Sequence, residues 1–364
     1  MNVLYVTNLP APYRVDFFNE LGKQVNLTVL YERKTASDRD IRWKGESAQT
    51  FREVFLNGAR VGAASGASHK VLSYIKDTSY DIRIMGGYAS PTAMLAIRYM
   101  KRKKIPYILS IDGGFPAKET LWKRSMKRSF ISGAAMYLST GTNGDRYLMH
   151  YGADPKCIHR YHFAPLFQKD VLTAPVSAED KEALRQKLRI TKPHMILSVG
   201  RLLSLKRYDL LMEAVSGMED AEALIVGGLP DDYHKQLLQN YPDAHVRFVD
   251  FMAYDALKEY YQAADLFVMT SDSDVWGLVL AEAMANGLPV IATDSCGGAF
   301  DLIENGKNGY VIPKGDGKAL QKQIKASLPE REAFGKHSIE IIKEYTIEHE
   351  VLDHISAFHA FLRG

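Results

Sequence analysis

Cysteine is nearly absent: Cys157 and Cys296 are the two in 364 residues, too few to build a disulfide framework. No window reaches the roughly 18 uninterrupted apolar residues of a membrane-spanning helix. The opening MNVLYVTNLPAPYRV carries neither the basic start nor the long apolar run of a secretory signal. These absences set the expectation of a cytoplasmic chain that, where it meets a membrane, sits peripherally on the inner face of the plasma membrane.

At this length one hydrophobic core is too small for the whole chain, and two domains are expected. A net charge of +3 hides an asymmetry, because residues 1–172 hold 26 Lys and Arg against 14 Asp and Glu, and residues 173–364 hold 20 against 29. The halves therefore carry +12 and −9. Much of the excess lies in KRKK, Lys101 to Lys104, and in KETLWKRSMKR, Lys118 to Arg128. The second run interleaves Leu121, Trp122 and Met126 with cations, the composition of a surface helix that seeks anionic lipid or phosphate. A solvated helix face with a few core residues has the same composition. No nucleic-acid partner is expected.

Short apolar runs alternate with helical patterns through both halves. NVLYVT, VNLTVLY, DIRIMGG, PYILSI and AMYLST come first; HMILSVG, AEALIVGG, VRFVDF, DLFVMT, LPVIAT and GYVIP follow. Near-continuous apolar strands with crossover helices predict parallel sheets covered on both faces. The polar stretch after Pro165 reads as a linker. The expectation is α/β, with one doubly wound Rossmann-like domain over 1–172 and another over 173–346, and a last helix at about 347–364 that crosses back to the first. Ligands of such folds bind beyond the carboxyl ends of the strands.

Two places carry chemistry. HMILSVG runs into RLLSLKRYDLL, so Arg201 and Lys206 follow a strand and precede a helix, an arrangement that suits phosphate. In DVWGLVLAEA, Asp274 stands before Trp276 and Gly277, and Glu282 falls eight positions later. A carboxylate one turn into that helix suits the vicinal hydroxyls of a ribose, Asp274 suits hydroxyls of a second sugar, and the N–H groups from Trp276 to Val279 suit an anion between them. Taken singly, Glu282 is explained by the helix dipole and Asp274 by capping.

GRLLSLKRYDLL, FVDFMAYDALKEYYQAADLFVMTS and DVWGLVLAEAMANGLPVIATDSCGGAFDLIENGKNGYVI together resemble the C-terminal domain of retaining glycosyltransferase family four, of the GT-B fold. NLPAPYRVDFFNEL, MGGYASPTAML, ILSIDGG and LSTGTNGDRYLMHYG are similar to a bacterial subgroup that builds capsule, exopolysaccharide or lipopolysaccharide. The resemblance implies that Arg201 and Lys206 hold the diphosphate of a nucleotide-sugar donor, uridine favoured, and that Glu282 holds its ribose. It implies that Asp274 meets the transferred sugar, that Trp276, Gly277, Leu278 and Val279 meet sugar and phosphates, and that the base lies near Asp250, Phe251 and Met252. The acceptor implied is polyprenyl-linked or another surface glycan, with no cofactor and no metal.

The chain departs from the family pattern in three places. Asp274 stands where the family has the first Glu of an E-x7-E spacing. Asp112, in ILSIDGG, stands where the family commonly has His near the reacting carbon, and is read as a catalytic residue beside Asp274, Arg201 and Lys206. NLPAPYR replaces the family's glycine-rich loop, so that Arg14 is expected to meet donor phosphate or an anionic acceptor. Three other readings compete, and the paired domains with the Arg201/Lys206 pair argue against the first. Asp272-Ser273-Asp274 is a DxD of the kind that binds a metal in another glycosyltransferase fold, a phosphorylase or epimerase would use a similar site, and a two-domain sugar-binding protein would use it without catalysis.

Overall fold

The computed structural model describes residues 1–35 and 47–364. They form two compact units, Met1–Pro165 with Thr346–Gly364, and Leu166–Tyr345. The contact boundary thus falls at Pro165, slightly before the 172/173 division expected from composition.

The first unit holds strands β1 (Asn2–Thr7), β2 (Asn26–Tyr31), β3 (Arg52–Phe55), β4 (Ala59–Val61), β5 (Ser65–Ala67), β6 (Ile82–Gly86), β7 (Ile108–Ile111), β8 (Met136–Ser139) and β9 (Ile158–Arg160). Seven of them make a parallel sheet in the order β3-β2-β1-β6-β7-β8-β9, and β4 and β5 pair as an antiparallel ribbon. The central strands are buried on both faces, as their apolar runs predict. Helices α1 (Pro12–Leu21), α2 (Val71–Lys76), α3 (Pro91–Lys103), α4 (Leu121–Ile131) and α5 (Thr142–His150) lie between the strands in sequence. Strands β3 and β9 are sheet edges with polar sequences, REVF and IHR, and carry no apolar run by which to recognise them.

The second unit holds β10 (His194–Val199), β11 (Ala221–Val226), β12 (Val246–Val249), β13 (Leu266–Met269), β14 (Val290–Thr293) and β15 (Gly309–Ile312), a parallel sheet in the order β12-β11-β10-β13-β14-β15. Its helices are α6 (Ala178–Leu188), α7 (Tyr208–Val215), α8 (Asp232–Asn240), α9 (Tyr254–Ala263), α10 (Leu278–Ala285), α11 (Ala299–Leu302), α12 (Gly317–Ser327) and α13 (Arg331–Ile342). The chain then returns to the first unit as α14 (Ile347–Arg363), which packs on α1.

Strand order fixes where chemistry can sit. From β10 the chain winds outward through β11 to β12, then crosses back to β13 and winds the other way, so the switch point lies between β10 and β13. In the first unit it lies between β1 and β6. Loops that leave neighbouring strands in opposite directions open a crevice at each such point.

Candidate functional site

The loop after β10 carries the two expected cations. Gly200 donates its amide to the Val226 carbonyl at 2.9 Å, and the half-buried Arg201 follows. One 3-10 turn over Ser204–Lys206 then leads to Arg207, held in the left-handed region at φ 52°. That backbone costs a side-chain-bearing residue on the order of 1 kcal/mol. Neighbouring contacts hold it: the Arg207 guanidinium bonds Asp209 at 2.8 Å and Asp272 at 3.3 Å. The Thr270 hydroxyl donates to the Lys206 carbonyl at 2.7 Å, and the Asp272 amide to the Leu205 carbonyl at 2.7 Å. The loops after β10 and β13 are thereby stapled across the switch point.

These staples bring Lys206 and Asp274 together. Lys206 Nζ lies 2.8 Å from Asp274 Oδ2, with the two side chains 13% and 23% exposed. The residues expected to hold phosphate and sugar separately form an ion pair with each other.

The backbone of the Asp274 loop is fixed by the segment after β14. The Asp274 amide donates to the Ser295 carbonyl at 2.9 Å, the Gly297 amide to the Asp274 carbonyl at 3.0 Å, and the Gly298 amide to the Trp276 carbonyl at 2.8 Å. Only glycine fits at 297, where a Cβ would fall 1.9 Å from the Val275 carbonyl oxygen. Gly277 is required too, with φ 89° and a Cβ position 2.6 Å from Cys296 Sγ. This role of Ser295 to Gly298 was not anticipated from sequence; its signal was the consecutive Gly297 and Gly298 behind an apolar strand.

Gly277 is the N-cap of α10, which starts at Leu278 without a side-chain cap. The N–H groups there are not all open, because the Trp276 amide donates to Asp274 Oδ1 at 3.3 Å. The Trp276 ring is buried, 6.3 Å from the ring of Tyr345. Glu282 lies one turn into α10 and accepts a hydrogen bond from the Tyr261 hydroxyl of α9 at 2.9 Å. Burial pushes its carboxyl up to about 7, against the pull of that hydrogen bond. Sequence reasoning did not foresee Tyr261. Asp250, Phe251 and Met252 follow β12 on the same carboxyl edge of the sheet, and Asp250 accepts the Phe251 amide at 2.7 Å.

The two acids of the DxD face cations rather than each other. Asp272 sits between Arg207 and Lys314, whose ammonium is 3.7 Å away, while Asp274 faces Lys206. Among the described residues no group of three His, Cys, Asp or Glu is placed to hold a metal ion.

In the first unit, Arg14 on α1 forms an ion pair with Asp112, which follows β7. Arg14 is buried and Asp112 half-exposed, with side chains 8% and 40% exposed. Burial alone would lower the Arg14 pKa; Asp112 and the neighbouring Tyr13 and Tyr5 hold it well above its ordinary value. The guanidinium expected to reach for phosphate is thus engaged by the acid. Behind it lies a buried polar group that sequence reasoning missed. Glu350 of α14 accepts the Ala164 amide at 3.0 Å and burial raises its pKa, while the His354 ring, 4.6 Å from those of Phe17 and Tyr161, is pushed down to about 4 by burial. A heptad-like helix end gives no sign that its Glu and His point inward.

Two parallel sheets, each with charged loops at its switch point, define the class of protein: the GT-B fold of paired Rossmann-like domains. Sucrose-phosphate synthase from Thermosynechococcus elongatus superposes with a TM-score of 0.77 over 100% of both chains at 17% identity. HepE of Anabaena in complex with UDP superposes with a TM-score of 0.76 over 98% of this chain and 100% of that one, also at 17% identity. Within the second unit, residues 180–343 match the family described as Glycosyl transferases group 1. Among curated relatives, the sulfoquinovosyl transferase of Arabidopsis thaliana is 31% identical over 157 residues, 42% of this chain and 30% of its own length. The chain spans less than two thirds of the length of the curated relatives it matches.

Proposed function

We propose that the protein is a retaining glycosyltransferase that moves a sugar from a nucleotide-diphosphate donor to a lipid-linked or other glycan acceptor in bacterial surface-polysaccharide synthesis. The observation that carries this reading is the Lys206–Asp274 pair at the switch point, on the loop that leads into the helix carrying Glu282, inside the residues that match the glycosyltransferase family. Lys206 with Arg201 is assigned the diphosphate, Glu282 the ribose, Asp274 the transferred sugar, and Asp250 to Met252 the base. Uridine is favoured as the nucleoside, in keeping with the UDP bound to HepE.

The protein's contribution is charge stabilisation. The leaving phosphate, neutralised by Arg201 and Lys206, takes the proton of the acceptor hydroxyl on the face it departs from, so the configuration is kept. Asp112 is assigned the developing positive charge on the sugar. Arg14, bonded to Asp112, is assigned its positioning. Two fixed cations take the place that a divalent metal fills in other folds, so activity should survive EDTA; activity abolished by EDTA and restored by manganese would overturn that assignment.

Helix α4 is assigned to a membrane surface. Leu121 and Trp122 are 83% and 71% exposed beside the exposed cations Lys123 and Arg124. Lys127 is spoken for, since its ammonium lies 2.9 Å from Glu119 and 3.1 Å from the Tyr151 hydroxyl. Among the described residues no helix is long and apolar enough to cross a membrane, and an amphipathic helix of this kind binds in the interface plane. The test of the donor reading is a thermal-shift panel of UDP-, GDP- and dTDP-sugars, in which a matching donor raises the midpoint with the logarithm of its concentration; absence of any shift across the panel refutes it.

A further inference from the structure

We propose that Asp274 discriminates between the intact nucleotide sugar and the bare nucleoside diphosphate, re-forming its ion pair with Lys206 when the sugar has left and so expelling the spent nucleotide. The inference rests on the donor reading above and deepens it.

Three observations carry it. First, Lys206 and Asp274 are paired at 2.8 Å, in a setting where both side chains are largely covered. Any diphosphate that takes the ammonium takes it from Asp274. Second, Asp274 is held where it stands, because its backbone is bonded on both sides to Ser295 and Gly297 and its Oδ1 accepts the Trp276 amide. The carboxylate therefore remains beside whatever Lys206 binds. Third, the neighbouring acid has cations of its own: Asp272 lies between Arg207 and Lys314. Asp274 alone loses its cation when phosphate arrives.

The consequence depends on what the phosphate carries. With a sugar attached, hydroxyl groups can donate to Asp274 and replace the lost ammonium. With a bare diphosphate, the carboxylate is left beside like charge in a partly desolvated place, where such repulsion is least screened. Binding energy is thus withheld from the product and returned only to the substrate. The shorter side chain at this position suits the task, since one methylene less keeps the carboxylate close to its anchoring loop.

The experiment is titration calorimetry on the full chain with UDP, GDP and dTDP and with the corresponding nucleotide sugars, in the wild type, Asp274→Asn, Lys206→Ala and the double variant. Asp274→Asn keeps the oxygen that accepts the Trp276 amide and every backbone anchor, and Asp274→Ser provides a second neutral side chain should the first fail to fold. Removing one like charge beside the ligand should tighten the bare diphosphate about tenfold, the equivalent of roughly 1.4 kcal/mol, while the nucleotide sugar gains nothing. In the Lys206→Ala background the gain should shrink, because the cost of breaking the ion pair is gone and only the like-charge repulsion is left. Product inhibition by the same diphosphate should deepen in parallel. An unchanged ratio of the two affinities, or a gain that is as large without Lys206 as with it, overturns the inference while leaving the donor reading in place. If no diphosphate or nucleotide sugar binds any variant, the donor reading fails and the inference falls with it.

Discussion

In each unit a cation–carboxylate pair joins the segments that follow two strands at the carboxyl edge of the parallel sheet, Arg14–Asp112 in the first and Lys206–Asp274 in the second, and the two are covered differently. In the first unit the cation is sealed in and the acid is open, Arg14 being 8% and Asp112 40% exposed. In the second, cation and acid are covered to a similar degree. A sealed cation can act only through its partner, so the first pair presents a carboxylate and nothing else. A pair covered evenly presents both charges to a ligand that can separate them. The difference teaches that the first pair fixes a group in place, whereas the second exchanges partners.

That contrast can be broken most severely at Lys206. Lys206→Ala should lower turnover by about 10²–10³-fold, the effect of removing one preorganised charge-stabilising donor, in a radiolabelled or coupled transfer assay; near wild-type turnover would remove the second pair from the chemistry. Arg14→Met should act on stability by about 1 kcal/mol in urea unfolding, because the carboxylate it leaves, Asp112, is 40% exposed and water can take the place of the lost guanidinium.

Glu282 sharpens the comparison through pH. Its folded pKa of about 7 lies above the ordinary 4.5, so folding takes up a proton. The stability this provides is complete below pH 4.5 and is lost as pH rises through 7, a fall of roughly 2 kcal/mol between pH 5 and pH 8. Unfolding midpoints of Glu282→Gln should lack this component of the fall, and identical pH profiles for the two proteins would show that the group is not perturbed. The smallest change in stability is expected on α4. Leu121→Ser with Trp122→Ser should shift stability by less than about 0.5 kcal/mol yet abolish flotation with anionic liposomes, and a Lys123, Arg124, Arg128 triple variant should do the same; flotation that is indifferent to lipid charge would count against the membrane assignment.

Reading of the fold from sequence succeeded where burial was uniform. Strands such as Ile108–Ile111 and Val290–Thr293 are apolar at every position or nearly so because both faces are covered, whereas the edge strands Arg52–Phe55 and Ile158–Arg160 have too little buried surface to leave a pattern. The site was legible by the same logic of locality. Lys206, Asp274 and Glu282 declare themselves by their place relative to a strand end or helix start within a dozen residues. Their partners do not, since Lys206 and Asp274 stand 68 positions apart and Arg14 and Asp112 stand 98 apart. Tyr261, bonded to Glu282, belongs to a helix whose own pattern explains it as core. The same holds for Glu350 and His354, which read as solvent-facing until α14 is seen against α1.

The return of α14 to the first unit has a consequence for biosynthesis. Residues 347–363 leave the ribosome after every residue of the second unit, so the second unit can complete its sheet while the first still lacks the helix that covers Phe17 and Tyr161. Until then the Ala164 amide has no Glu350 to accept it, and the aromatic surface of α1 stays wet. The nascent chain therefore passes through a stage in which its earlier half is the less finished one, and that is the interval in which a chaperone or an aggregate would find it.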